Sequence, residues 1–307
     1  MLGAYLKLVR WPNLLIIGLI FLLAKTQLVD VFSALTGIKS CLYDFHWVMM
    51  ALATIFIAAS GNVVNDIFDQ DIDFHNKPDK IIVGKTVSEA KAWNLYYGLG
   101  SVGLGLGMFL CWQLGNVSNS LLFMLTAGGL YFYSHTYKRQ LLIGNVVVAL
   151  LAGLVPFLPL YIEMMCNPNG WMSLPWSGYL MAFAVFSAYT TIIREMVKDM
   201  EDIKGDTLMR CSTLPIVFGL NGSKAVASAL LLLLIGTIGW FQMAWFADEQ
   251  FLLLGYFSVA VQVPALLALV QILRGKTSSD FHKASIVLKL LMLGGIFSMV
   301  VFRIVVT

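Results

Sequence analysis

The sequence predicts an all-α polytopic membrane protein, a bundle of nine transmembrane helices around a central cavity. Three observations carry the prediction. Of the 307 residues 59% are hydrophobic and only 12% charged, with a mean hydropathy of +0.82, whereas a water-soluble globule has about a quarter of its residues charged. The apolar residues fall into runs of roughly the 20 that a helix needs to cross the hydrocarbon core. Basic residues gather in alternate loops between those runs. This composition excludes an ordinary soluble enzyme, a disordered chain and a nucleic-acid binder.

The runs are expected near 13–34, 47–68, 93–113, 117–136, 142–163, 177–198, 223–246, 251–273 and 286–306. Ahead of the first, Tyr5 to Trp11 reads as an interfacial helix. That first run is long, carries Lys25 and has no small-residue cleavage site after it, so we read it as a span rather than a signal peptide. Nine spans put Lys25, Lys39 and Arg303 on one side and the other seventeen Lys and Arg residues on the opposite side. By the positive-inside rule the protein is expected in the cell (inner) membrane, with its amino terminus cytoplasmic and its carboxyl terminus outside. Cys41, Cys111, Cys166 and Cys211 form no C-x-x-C pair, and we read all four as small apolar packing residues. The glycine run Gly98, Gly100, Gly103, Gly105 and Gly107 lacks the Gly-Lys-Ser/Thr of a phosphate loop and suits close helix packing.

Chemistry concentrates at two span ends, residues 62–73 and 195–206. At about 100° per residue, Asn62, Asn65, Asp66, Asp69 and Asp73 lie within an arc of about 100°, and Asp71 points away. Glu195, Asp199, Asp202 and Asp206 share roughly 60° if the helix persists that far. Lone carboxylates are costly at the edge of an apolar span. Solvated carboxylates paired with nearby lysines would explain one such cluster. However, Asp66, Asp69 and Asp73 recur as Asp199, Asp202 and Asp206 at a constant offset of 133 residues, as does Asn62 as Glu195. We read residues 1–307 as a single integral-membrane domain of two pseudo-repeated halves, with both acidic motifs on the cytoplasmic face.

Hard oxygen donors without histidine or cysteine suit Mg²⁺ rather than zinc or copper, above all where the ion bridges to phosphate oxygens. Two facing rows of carboxylates holding Mg²⁺ would grip a diphosphate. They would also favour its departure from an allylic carbon by neutralising the leaving oxygen. A prenyl diphosphate adds a greasy tail suited to a membrane bundle.

At this point the residues resemble the UbiA-type intramembrane prenyltransferases, whose first motif Asn-Asp-x-x-Asp-x-x-x-Asp is met by Asn65, Asp66, Asp69 and Asp73. The likeness continues through Asn76-Lys77-Pro78-Asp79-Lys80, Tyr131 to Arg139, Gly144-Asn145 and Thr213-Leu214-Pro215, and covers nearly the whole chain. Two departures stand out: Lys80-Ile81-Ile82-Val83-Gly84 lacks the proline of many relatives, and Glu195 stands where many have aspartate. The resemblance implies Mg²⁺-dependent transfer of a prenyl group, released from its diphosphate as an allylic cation, to a lipophilic acceptor. Within the family the second motif looks most like the ether-lipid branch, which implies geranylgeranyl diphosphate as donor and a geranylgeranylglyceryl phosphate as acceptor. Aromatic acceptors of quinone synthesis are the alternative within the family, and a membrane transporter with intramembrane carboxylates the alternative outside it. Transport favours charges near mid-bilayer, whereas these acids sit at span ends.

The expected roles follow. Asp66, Asp69, Asp73, Glu195, Asp199, Asp202 and Asp206 are candidate Mg²⁺ ligands, with Asp66, Asp69 and Asp199 central to catalysis. Asn62 and Asn65 are expected to orient ligands or donate to phosphate. Lys77, Lys80, Lys138, Arg139 and Lys198 are candidate contacts for the diphosphate, as point charges or forks. Tyr133 and Tyr137, four residues apart, are candidates to meet the allylic cation with their ring faces.

Overall fold

A computed structural model describes residues 2–70, 81–166 and 173–307. A short helix α1 (Leu2–Leu8) leads into α2 (Trp11–Thr36), followed by α3 (Asp44–Phe68), α4 (Glu89–Gln113), α5 (Leu121–His135), α6 (Ile143–Cys166), α7 (Ser177–Glu201), the short α8 (Ile203–Leu208), α9 (Leu214–Ala247), α10 (Phe251–Arg274) and α11 (Ser278–Val306). Among the described residues eight helices are long and apolar enough to cross a membrane, one fewer than the nine expected. The shortfall is α5. Its 15 residues rise about 22 Å, less than the roughly 30 Å of a hydrocarbon core, and a 3₁₀ turn, Val117–Ser120, supplies the start of that segment.

Two helices begin earlier than the hydropathy runs suggest. Helix α9 starts at Leu214 because its first turns continue across a kink at Gly219, whose φ is 72°. Helix α11 starts at Ser278, where Thr277 accepts from the backbone N–H of Asp280 and the Asp280 carboxylate accepts in return. This reciprocal cap extends the helix eight residues ahead of its apolar run. Helices α2 and α10 each contain a π-helical stretch, Ala24–Val29 and Ser258–Gln262.

The apolar residues pack as three clusters. One, built on Phe21, Met50, Leu160 and Trp176, fills the end of the bundle away from the acidic motifs. A second joins α7 to α9, α10 and α11. A third wedges Leu8 of α1 against Val63 and Ile67 of α3. Close packing through the glycine run is confined to part of it. A Cβ on Gly103 would lie 2.9 Å from the Ile57 backbone nitrogen and 3.0 Å from the Ala53 oxygen, whereas Gly98 and Gly105 face open space.

The cysteines do not all behave as apolar fillers. Cys41 and Cys166 form a disulfide with their Cα atoms 6.1 Å apart, tying the turn before α3 to the end of α6. Only Cys111 and Cys211 are buried free thiols. The pair is separated by 125 residues, so no local spacing announces it. Beside it the buried Glu163 accepts hydrogen bonds from Ser40 and from the Cys41 backbone.

Candidate active site

Helices α3 and α7 stop at equivalent places within their motifs. Asp69 caps the end of α3 with φ −90° and ψ 0°, and Asp202 caps α7 with φ −100° and ψ 10°. The two caps stand at the same 133-residue offset as the acids themselves. The single helical stripe expected to reach Asp206 is therefore interrupted. Asp206 rides on α8, a separate short helix, and is turned inward by its own contacts: Thr213 donates to its carboxylate at 3.2 Å, and its carbonyl accepts from the Cys211 backbone at 2.9 Å.

On α3, Asp66 forms an ion pair with Arg10 at 2.9 Å. Arg10 sits in the left-handed region (φ 54°), at the corner where α1 turns into α2. Asn62 fixes the same corner by donating to the Val9 carbonyl at 2.9 Å. Asp69 is buried and accepts from both Asn65 and Lys138. Burial alone would lower the Lys138 pKa, but Asp69 outweighs it and holds that ammonium well above the usual lysine range. Lys138 is brought there by a close backbone approach. A Cβ on Gly144, at the start of α6, would fall 2.8 Å from the Tyr137 oxygen and 2.9 Å from the Lys138 Cα.

On α7, Glu195 accepts from Lys198 at 2.9 Å and pairs with Arg194 at 3.3 Å. Among the described residues Asp199 has no cation at contact. It accepts from the buried Asn145 amide at 2.8 Å. Burial, reinforced by the neighbouring Asp202, pushes the Asp206 carboxyl up to about 6.

The two rows meet. Tyr133, in the last turn of α5, interacts electrostatically with Glu195, Lys138, Asp69 and Asp199, and so lies where the rows converge. Asp206 in turn feels Lys138 and Asp69. A backbone hydrogen bond from Ser212 to the Arg139 carbonyl, 2.8 Å, ties the loop after α5 to the loop after α8.

Other expected residues fall elsewhere. The Tyr137 ring lies 6.3 Å from Phe132, outward of the acids. Arg139 is exposed. Asp73, Lys77 and Lys80 lie outside the described residues.

Sequence reasoning gave no role to Arg10, Asn145, Thr213, Arg194 or Lys289. The last two, with Asn62, line a cavity of about 330 Å³ that runs among α2, α3, α5, α6, α7 and α11, with Ile57, Phe123 and Met299 among its apolar walls.

The donor set at the convergence is entirely oxygen and amide. Asp199 and Asp206 have neutral hydrogen-bond partners, which orient a carboxylate without cancelling its charge. This is the chemistry that Mg²⁺ selects, so the residues present fit that ion.

The family model described as the UbiA prenyltransferase family matches residues 12–293. Among curated proteins, digeranylgeranylglyceryl phosphate synthase of Metallosphaera sedula is 31% identical over 236 residues, 76% of this chain and 74% of that protein. The synthase of the same name from Methanococcus vannielii is 34% identical, over 76% of this chain and 75% of its own. A solved UbiA homologue from Aeropyrum pernix superposes with a TM-score of 0.64 at 17% identity, over 92% of this chain and 96% of that one. A homologue from Archaeoglobus fulgidus, solved with DMAPP and Mg²⁺, gives 0.54 at 17% identity, over 96% and 98%.

Proposed function

Given that this chain belongs to the UbiA prenyltransferase family, we propose that it transfers a geranylgeranyl group from geranylgeranyl diphosphate to the free hydroxyl of a geranylgeranylglyceryl phosphate. The observation that carries the reading is the approach of α3 and α7 carboxylates to one Tyr133 within electrostatic reach, beside the Lys138–Asp69 pair, with an apolar cavity reaching into the bundle beside them. The relatives named as digeranylgeranylglyceryl phosphate synthases support the acceptor. The protein is a multi-pass membrane enzyme. With both motifs on the cytoplasmic side, as the charge distribution indicates, donor and acceptor tails enter from the bilayer while the diphosphate leaves to water.

Asp66, Asp69, Glu195, Asp199, Asp202 and Asp206 would hold Mg²⁺, directly or through water, with Asp73 as a further candidate ligand. Once bound, the ion neutralises negative charge as it develops on the leaving diphosphate. Asn145 and Thr213 set the orientation of Asp199 and Asp206, as partners of ligating carboxylates do elsewhere. Lys138, held protonated, presents its ammonium to the diphosphate, with the exposed Arg139 nearby and Lys77 and Lys80 as further candidate contacts. The allylic C1–O bond breaks with its electron pair going to the diphosphate. The Tyr133 ring face stabilises the allylic cation. The acceptor hydroxyl oxygen then forms the new C–O bond, and its proton leaves to solvent. The apolar cavity holds a prenyl chain extended and keeps water from capturing the cation.

The test supplies radiolabelled geranylgeranyl diphosphate with Mg²⁺ and either a geranylgeranylglyceryl phosphate or aromatic acids such as dihydroxynaphthoate. Label is expected in the double ether of glyceryl phosphate. Transfer to aromatic acids alone overturns the acceptor, and no Mg²⁺-dependent diphosphate release with any acceptor overturns the reaction class.

A further inference from the structure

The apolar cavity contains a pair of cations that the diphosphate chemistry leaves unused. Arg194 of α7 and Lys289 of α11 both line it and repel one another. Among the described residues Lys289 has no ion-pair partner. Its ammonium reaches only the Asn13 amide oxygen, at 3.4 Å. Among the described residues the Arg194 guanidinium pairs with Glu195 at 3.3 Å, a carboxylate it shares with Lys198, and its buried Nε has no hydrogen-bond partner. Among the described residues neither cation contacts Asp66, Asp69, Asp199 or Asp206.

The hydroxyls along the same walls are already committed. Thr54, Thr126 and Thr190 donate to carbonyls one turn back, and Ser187 donates to the Ala152 carbonyl. The polar capacity left at the cavity is thus cationic, joined by the Asn13 and Asn62 amides. Two like charges beside apolar walls are unfavourable unless an anion joins them. A phosphate monoester carries close to two negative charges and several strong acceptor oxygens, which suits one fork and one ammonium together.

We infer that Arg194 and Lys289, with Asn13, form the seat for the phosphate of the acceptor lipid, bordering the diphosphate carboxylates only through the Arg194–Glu195 contact. This deepens the glyceryl phosphate reading above and rests on it. The two substrates are then told apart by charge pairing, the donor through metal on acids and the acceptor directly on cations. Lys289 is a specificity-determining residue for the acceptor.

The test measures transfer from geranylgeranyl diphosphate to geranylgeranylglyceryl phosphate and to the same glyceryl ether without its phosphate, using the full-length protein in lipid nanodiscs. For Lys289→Gln the KM of the phosphorylated acceptor should rise about 10- to 100-fold, the loss of a charge-assisted hydrogen bond. The KM of the diphosphate and transfer to the unphosphorylated ether should stay within about twofold by the same reasoning, and Lys289→Arg should recover most of the loss. Equal effects on both acceptors, or a raised diphosphate KM, overturn the inference.

A second measurement needs no variant. A glyceryl ether phosphate whose free hydroxyl is methylated should inhibit the unaltered protein in competition with the acceptor, about tenfold better than its unphosphorylated counterpart. Equal inhibition by the two overturns the seat even if glyceryl transfer stands, whereas transfer to aromatic acids alone overturns the acceptor reading and the seat with it.

Discussion

The two acidic helices are alike in position and unlike in company. On α3, Asp66 faces the Arg10 guanidinium and Asp69 faces the Lys138 ammonium, so both carboxylates are neutralised by the protein itself. On α7 and α8, Asp199 and Asp206 face an amide and a hydroxyl. Each of the four carboxylates has a hydrogen-bond partner, but the neutral partners of Asp199 and Asp206 leave the charge uncompensated. Glu195, paired with Lys198 and Arg194, resembles the α3 acids. Under the proposed function these three paired acids would exchange protein cations for metal when substrate arrives, whereas Asp199 and Asp206 would take a divalent ion without displacing one. The constant offset between the motifs describes where the acids stand, and the neighbouring loops decide what each can do.

The strongest test of that division is Asp199→Asn. Removing the charge while keeping the shape should lower turnover by about a thousandfold or more, with no recovery at high Mg²⁺ and an unchanged elution volume in detergent. Near-normal turnover at limiting Mg²⁺ would take Asp199 out of the ligand set. Next comes Asn145→Ala, which leaves the carboxylate but frees its orientation. Apparent Mg²⁺ affinity should fall about 10- to 100-fold, with most of kcat restored by excess ion in a Mg²⁺ titration. Gly144→Ala probes the other row, because the added Cβ must displace the backbone at Tyr137 and Lys138. It should cost about 1–3 kcal/mol in denaturant unfolding and lower kcat with little change in Mg²⁺ affinity.

The smallest effect is expected from Arg10→Ala. The pair with Asp66 is partly exposed, with side chains 40% and 20% accessible, so its loss should cost only about 1 kcal/mol. That cost should appear in chelator and shrink when Mg²⁺ is added, as thermal unfolding with and without EDTA would reveal. The same loss in both conditions would erase the proposed asymmetry.

Much of this was legible in the chain. Hydropathy gives the spans, and the first motif with its repeat gives the elements that carry the site. What escapes sequence is mostly contact between distant segments. Arg10 counts only as one more positive-inside residue until α1 folds back beside α3. The break at Asp202 has no proline or adjacent glycine to signal it, so an uninterrupted stripe to Asp206 is the natural expectation. Asn145 and Thr213 belong to recognisable stretches, but only the fold reveals that they address Asp199 and Asp206. Lys289 did leave a signal, a cation three residues into the apolar run expected at 286–306. Such a residue is a functional candidate by default, and a loop-based charge count hides it by assigning it to a side.

The bond between Cys41 and Cys166 adds a geographic consequence. Both sulfurs lie at the end of the bundle opposite the acids, separated from them by the 25 residues of α3, a rod of about 37 Å. The fold thus has a covalent staple at one pole and its chemistry at the other. A reductant confined to the far side of a sealed vesicle should expose two thiols there for labelling while catalysis continues, which makes the cystine a built-in compass for how the enzyme sits in its membrane.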